Sequence, residues 1–117
     1  MTADTPAADT PVLDTLADMT AASIEHNSLV PRELMLARIA ALIALDAPPV
    51  SYLANAGAAE ETGVTGDDIE GVMIAVAPLV GTARVVSAAG KILRALGFAI
   101  AVAEAELEAE LEAEDEE

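Results

Sequence analysis

The chain has no cysteine and no tryptophan, and only one histidine, one tyrosine and one phenylalanine among its 117 residues. The missing thiol excludes disulfides, thiolate metal sites and every reaction that passes through a sulfenic acid or a disulfide. A single histidine, His26, is too few for a His-rich metal site, and no cofactor is expected. Basic residues are scarce too: five Lys and Arg stand against 21 Asp and Glu, for a net charge of −16. Nucleic acid is bound through clustered Lys and Arg, so it is not an expected partner. Anionic membrane surfaces are disfavoured on the same ground. Long uncharged runs are missing as well. The longest, 47–59 and 71–83, fall short of the roughly 20 residues a membrane span needs. The N-terminal MTADTPAADTP has neither the basic start nor the apolar stretch of a signal peptide, and a cytoplasmic location is the expectation.

What is present is alanine, followed by Leu, Val and Ile. Hydrophobic residues make up 54%, which excludes a wholly disordered chain. The length predicts one domain. Small side chains gain little buried area each, and a chain this short buries a modest share of its surface alone. Self-association is the natural way to bury more. The acids are unevenly placed: nine acids and no base lie in 104–117, whereas 31–98 holds seven acids and five bases. The result is a nearly neutral body with acidic ends.

Periodicity predicts helices throughout and an all-α fold of five to six helices. Residues 1–10 read as a flexible acidic tail, 11–98 as a helical domain and 99–117 as an acidic helical tail. Val12, Leu13, Leu16, Met19 and Ile24 recur at near-helical spacing over 12–24. RELMLARIAALIAL (32–45) is apolar on nearly all sides, which predicts a central helix or a subunit interface. A third helix runs from the Pro48-Pro49 pair to about Thr62, with Asp46 as its cap and Gly63 past its end. Thr65 and Asp68 form a near-capping box for a helix over 66–77 that Pro78 and Gly81 break. Thr82 caps a last helix over 83–96, whose apolar positions are Val85, Val86, Ala89, Ile92 and Leu93 and whose end is Gly97. Lys91 and Arg94 would complement the dipole at that end. Beyond it, Glu104, Glu108 and Glu112 form one like-charged row, and each such pair costs roughly 0.2–0.5 kcal/mol.

PRELMLARIAALIAL, a following helix of AxxA type, and GVTGDDIEGVMIAVAPLVGTARVVSAAGKILRALG together resemble the carboxymuconolactone decarboxylase family, which includes the alkylhydroperoxidase-like proteins. The resemblance covers about 28–98. It implies a small helical domain that assembles as a homo-oligomer, a trimer or hexamer. Members include a muconolactone decarboxylase of aromatic catabolism and thiol peroxidases. The peroxidase branch carries Cys-x-x-Cys-x-x-x-His at the start of the third helix. Anchored on Gly63, those positions fall on Pro48, Ser51 and Asn55, so this chain resembles a cysteine-free variant. Thiol peroxidase chemistry is excluded, and the histidine of the decarboxylase branch also falls near Asn55. The family's helix-two glutamate resembles Glu33, with about three more residues before Pro48 than is common.

The candidate site lies in DAPPVSYLANAG. Tyr52 and Asn55 share a helix face, as do Ser51 and Asn55. They line a pocket for a small organic ligand, or else Tyr52 fills the core and Asn55 satisfies backbone. Glu33 is a general base of raised pKa or a partner of the helix dipole. Arg38 neutralises a ligand carboxylate, or pairs with Glu33 or a neighbouring subunit. The weak catalytic candidates are Glu33, Tyr52 and Asn55. The ligand-binding candidates are Arg38, Ser51, Tyr52 and Asn55. Two functions remain open: a small-molecule-binding or cysteine-independent catalytic oligomer, and a non-catalytic interaction protein whose acidic tail contacts a partner.

Overall fold

The computed structural model describes residues 9–115. Among them are five helices and no strand: α1 (Pro11–Glu25), α2 (Pro31–Ala44), α3 (Pro49–Glu61), α4 (Gly66–Val80) and α5 (Thr82–Asp115). The fold is all-α. Proline sits in the first turn of α1, α2 and α3, where its missing N–H costs nothing and its fixed φ suits the helix.

Helix α2 is the centre. Met35, Ile39 and Ile43 on it are buried, and it packs against α3, α4 and α5. Of the two explanations for its all-round apolarity, the central position holds within one chain. Ile69, Val72, Met73 and Val76 of α4 pack onto that core, together with Ile92 of α5. The inner face of α5 is turned from its expected setting. Ala88 and Ala95 are buried, whereas Val86 and Leu93 are exposed. Alanine inside lets the helix axes approach closely, with Val85 and Ile92 half-buried beside it.

Helices α2 and α3 close in the same way. At the end of α3, Val64 N donates to Ala59 O and Gly63 N to Glu60 O, with Gly63 at φ 86°. This is the Schellman arrangement. At the end of α2, Ala47 N donates to Leu42 O and Asp46 N to Ile43 O. Here the left-handed position is held by Asp46, at φ 56°. Asp46 therefore ends α2 and does not cap α3, whose N-cap is Pro48 with no side-chain bond. The capping box of α4 is complete: Thr65 Oγ1 accepts from Asp68 N, and Asp68 Oδ2 accepts from Thr65 N.

Three expected boundaries move. Pro78 lies inside α4, in its last turn, and does not break it. The turn comes at Gly81, φ 89°. Thr82 is the first residue of α5 and not its cap. Gly97 does not stop α5, because nothing there calls for a left-handed residue, and glycine in helical φ costs only about 1 kcal/mol. The continuous α5 runs 34 residues, so Lys91 and Arg94 are not near its C-terminus. Continuity also makes α5 long and apolar enough, by length and composition, to cross a membrane. Uncharged runs alone do not reveal this.

Two segments stand away from the core. No residue of α1 is buried, and from Ile100 to Asp115 every residue of α5 is exposed. The radius of gyration, 17.8 Å, exceeds the roughly 13 Å of a chain this long folded into one ball.

Candidate functional site

Helices α2, α3 and α5 enclose a cavity of about 140 Å³. Ile39 and Leu42 of α2, Ile69 of α4, and Ile92 and Ala95 of α5 form apolar walls. Helix α3 contributes Tyr52, Asn55, Ala56 and Ala59 along one side. The cavity exists because its walls are small where they meet: alanines on α3 and α5 face each other and leave volume that no side chain fills. Ala56 and Leu96 are lining residues that are also exposed, and they mark the open side.

Tyr52 and Asn55 are the only lining residues with polar side chains, and the cavity surface itself is almost wholly apolar. Tyr52 is 7% exposed, and its hydroxyl is buried with no hydrogen-bond partner. An orphaned buried hydroxyl costs about 1–3 kcal/mol. Burial, aided by the negative charge of Asp46, pushes the Tyr52 pKa up, so at neutral pH it is a hydroxyl donor. Asn55 Nδ2 donates to Ser51 O at 2.9 Å, one turn back. Among the described residues its Oδ1 takes no bond from the chain.

The other sequence candidates lie elsewhere. Ser51 is half-buried and contributes its carbonyl to Asn55, but it does not line the cavity. Glu33 is exposed in the first turn of α2, where the helix dipole suffices to explain it. Arg38 is also absent from the lining, and its Nη2 donates to Ser23 Oγ of α1 at 3.2 Å. His26 is exposed at the end of α1. The structure thus brings Tyr52 and Asn55 together with the cavity and leaves Glu33, Arg38 and Ser51 outside it. The aliphatic lining is legible in sequence only as core periodicity.

A second polar cluster leaves no sign in the sequence spacing. Asp46 Oδ1 accepts from Ser87 Oγ at 2.7 Å and from Lys91 Nζ at 2.8 Å. Arg84 Nη1 donates to Ala44 O at 2.6 Å. The end of α2 is thereby tied to α5. The Lys91 and Ser87 bonds hold the Asp46 carboxyl below the usual carboxylate range. Asp68 is held low in the same direction by the Thr65 backbone N–H and by Arg32, whose Nη2 bridges to it from α2.

A small helical protein with a largely apolar internal cavity, one orphaned donor and no nucleophilic thiol is thus defined. The profile of the Carboxymuconolactone decarboxylase family matches residues 10–95, and the chain belongs to that family. No curated protein and no solved structure matches it.

Proposed function

We propose that this family member holds a small organic molecule in the cavity between α2, α3 and α5. The observation that carries the reading is an apolar cavity beside Tyr52 and Asn55 that the chain leaves unfilled. Any reaction at this place is independent of cysteine and has Tyr52 and Asn55 as its only polar instruments, because no acid, base or cation lines the cavity. Binding is therefore favoured over decarboxylation. Purified protein supplied with a thiol reductant is expected to consume no peroxide beyond a blank. A thermal-shift comparison tests the binding reading. Monocyclic alcohols, lactones and acids should include compounds that raise the melting temperature of wild type but not of Tyr52→Phe/Asn55→Ala. A panel that shifts both proteins equally contradicts the reading.

Assembly belongs to the same proposal. The protein works as a homo-oligomer, a trimer or hexamer. Support comes from the apolar side chains left in solvent along α1 and α5, among them Leu13, Leu16, Met19, Leu93 and Phe98; faces of this kind mark interaction sites. Light scattering that finds a stable monomer at micromolar concentration contradicts it. We place the protein in the cytoplasm, with neither nucleic acid nor membrane as its partner. The second reading, a non-catalytic interaction protein, is favoured by the acidic end of α5, every residue of which is exposed from Ile100 to Asp115. It predicts a basic protein partner that is lost on deleting 104–117.

A further inference from the structure

The distal part of α5 carries an apolar face that nothing in the chain covers. Leu96, Ile100, Ala103, Leu107 and Leu111 follow one another at steps of four, three, four and four residues, the spacing that sets side chains on one side of an α-helix. All five are exposed, and the four large ones keep at least half of their surface in solvent. Helix propensity does not call for them. Alanine is a better helix former than leucine or isoleucine and already occupies positions 101, 105, 109 and 113. A tail that served only solubility would have no use for large apolar side chains on one face. An exposed apolar stripe with a polar rim marks an interaction surface. This one is about 22 Å long, so a partner helix of roughly four turns covers it.

The rim decides what can cover it. By helical position, Glu104 and Glu108 lie along one side of the stripe and Glu106 and Glu110 along the other. Residues 104–117 hold nine acids and no base. A second copy paired in parallel sets these rows against each other, and like charges across a helix pair repel. A second copy paired in the opposite direction sets the tail beside 82–99, where the bases are Arg84, Lys91 and Arg94. Arg84 is bonded to the Ala44 carbonyl and Lys91 to Asp46, which leaves Arg94 alone to face the acids. The other exposed apolar helix, α1, carries Asp14, Asp18 and Glu25 and no base. Neither α1 nor α5 of a second copy therefore complements the rim. An anionic membrane surface is repelled by the same acids. What complements it is an apolar line flanked on both sides by Lys and Arg.

We propose that the face formed by Leu96, Ile100, Ala103, Leu107 and Leu111 docks a cationic amphipathic helix of another protein. The inference rests on the second reading above, in which the acidic end of α5 contacts a basic partner, and it names the form of that partner. Burial of the Leu and Ile side chains supplies affinity. The glutamates on both sides meet Lys and Arg of the partner and set its choice and orientation. Pairing them also relieves the like-charge repulsion that opposes helix in this stretch, so docking and helix formation reinforce each other.

Fluorescence anisotropy on the full chain at pH 7, with labelled synthetic peptides of roughly three heptads as probes, tests this. One peptide has Leu at its apolar positions and Lys on the flanks. A second keeps the Lys and replaces Leu by Ser. A third keeps the Leu and replaces Lys by Glu. The leucine–lysine peptide is expected to bind at micromolar concentration and to gain helicity by circular dichroism. The other two should bind at least about 10-fold more weakly. Ile100→Ala/Leu107→Ala keeps good helix formers at exposed positions. It should weaken the leucine–lysine peptide by at least about 10-fold and leave thermal unfolding of the packed core unchanged. Serine–lysine binding as tight as leucine–lysine binding, and lost on deleting 104–117, overturns the docking face and leaves the acidic-tail reading standing. Leucine–glutamate binding as tight as leucine–lysine binding overturns the cationic partner. Leucine–lysine binding that is absent, or that survives deletion of 104–117, brings down the acidic-tail reading and this inference with it. Phosphatidylcholine vesicles are expected to stay unbound. Vesicle binding that Ile100→Ala/Leu107→Ala removes assigns the face to a membrane and overturns the proposal.

Discussion

The two halves of α5 are one unbroken helix held by different physics. From Thr82 to Ala99 the helix is anchored. Ala88 is fully buried and Ala95 nearly so, while Arg84, Ser87 and Lys91 grip the end of α2. From Ile100 to Asp115 every residue is exposed. What keeps that stretch helical is the propensity of Ala, Leu and Glu, set against the repulsion of like charges one turn apart. Gly97 sits where one regime passes into the other. Helix continuity is therefore no measure of how firmly a segment is held. Sensitivity to substitution, acid and salt should change along a single element.

The strongest way to break the comparison is to make the same substitution in both halves. Ala88→Leu forces a larger side chain into a filled interior and should cost roughly 1–3 kcal/mol. Ala109→Leu, in solvent, should stay within about 0.5 kcal/mol of wild type. Urea denaturation followed by circular dichroism reads both. Equal losses would mean that the distal half is docked after all.

A smaller effect is expected at the junction. An added methyl at Gly97 meets nothing within 4 Å, and the residue has helical φ. Gly97→Ala should therefore stabilise by up to about 1 kcal/mol and sharpen the thermal transition of the distal half. A loss of stability would show that the junction needs glycine for a reason the packing does not contain.

Acid should move the two halves in opposite directions. Asp46 and Asp68 have folded pKa values below their unfolded ones. Their stabilisation is present above the ordinary aspartate value near 4 and is lost as pH falls through the lowered folded values. The packed half should loosen in that window. Asp46→Asn, which keeps an amino acid tolerant of positive φ, should flatten part of the dependence. In an isolated 98–117 peptide the same acidification removes repulsion between glutamates, and helicity should rise between about pH 7 and pH 4. Salt at neutral pH should raise it too, through screening. Equal helicity at both pH values would show that repulsion is not what limits the tail.

These contrasts bear on how much of the molecule is legible in its sequence. The all-α class, α2 as the central helix, the capping box at Thr65 and Asp68, and Gly63 past α3 all rest on local patterns of apolar spacing and end chemistry. Such patterns are written within a few residues. The role of Asp46 is not legible, because its partners Ser87 and Lys91 lie more than forty positions away. Nothing local distinguishes an aspartate that caps the next helix from one that closes the last. The end of α5 is misplaced by sequence because glycine reads as a stop when exposed charge comes after it, although helix formers on both sides carry the helix through. Tyr52 and Asn55 are legible as a pair by their spacing. The cavity beside them is not, since it is a property of alanines on two helices that meet only after folding. Arg38 reads toward a ligand because it is a cation on an apolar helix. Its contact with Ser23 gives it a use at α1 instead.

The central claim is that the apolar cavity beside the buried Tyr52 takes a ligand. As the only tyrosine in the chain, Tyr52 can be followed without assignment ambiguity. NMR of protein labelled at the tyrosine Cζ carbon, titrated first with base and then with phenol, addresses it directly. The account predicts a Tyr52 that ionises above the ordinary value near 10 and a Cζ resonance that shifts saturably with phenol in wild type but not in Ala56→Phe. A Tyr52 that titrates at the ordinary value, with a resonance unmoved by phenol at millimolar concentration, would contradict it.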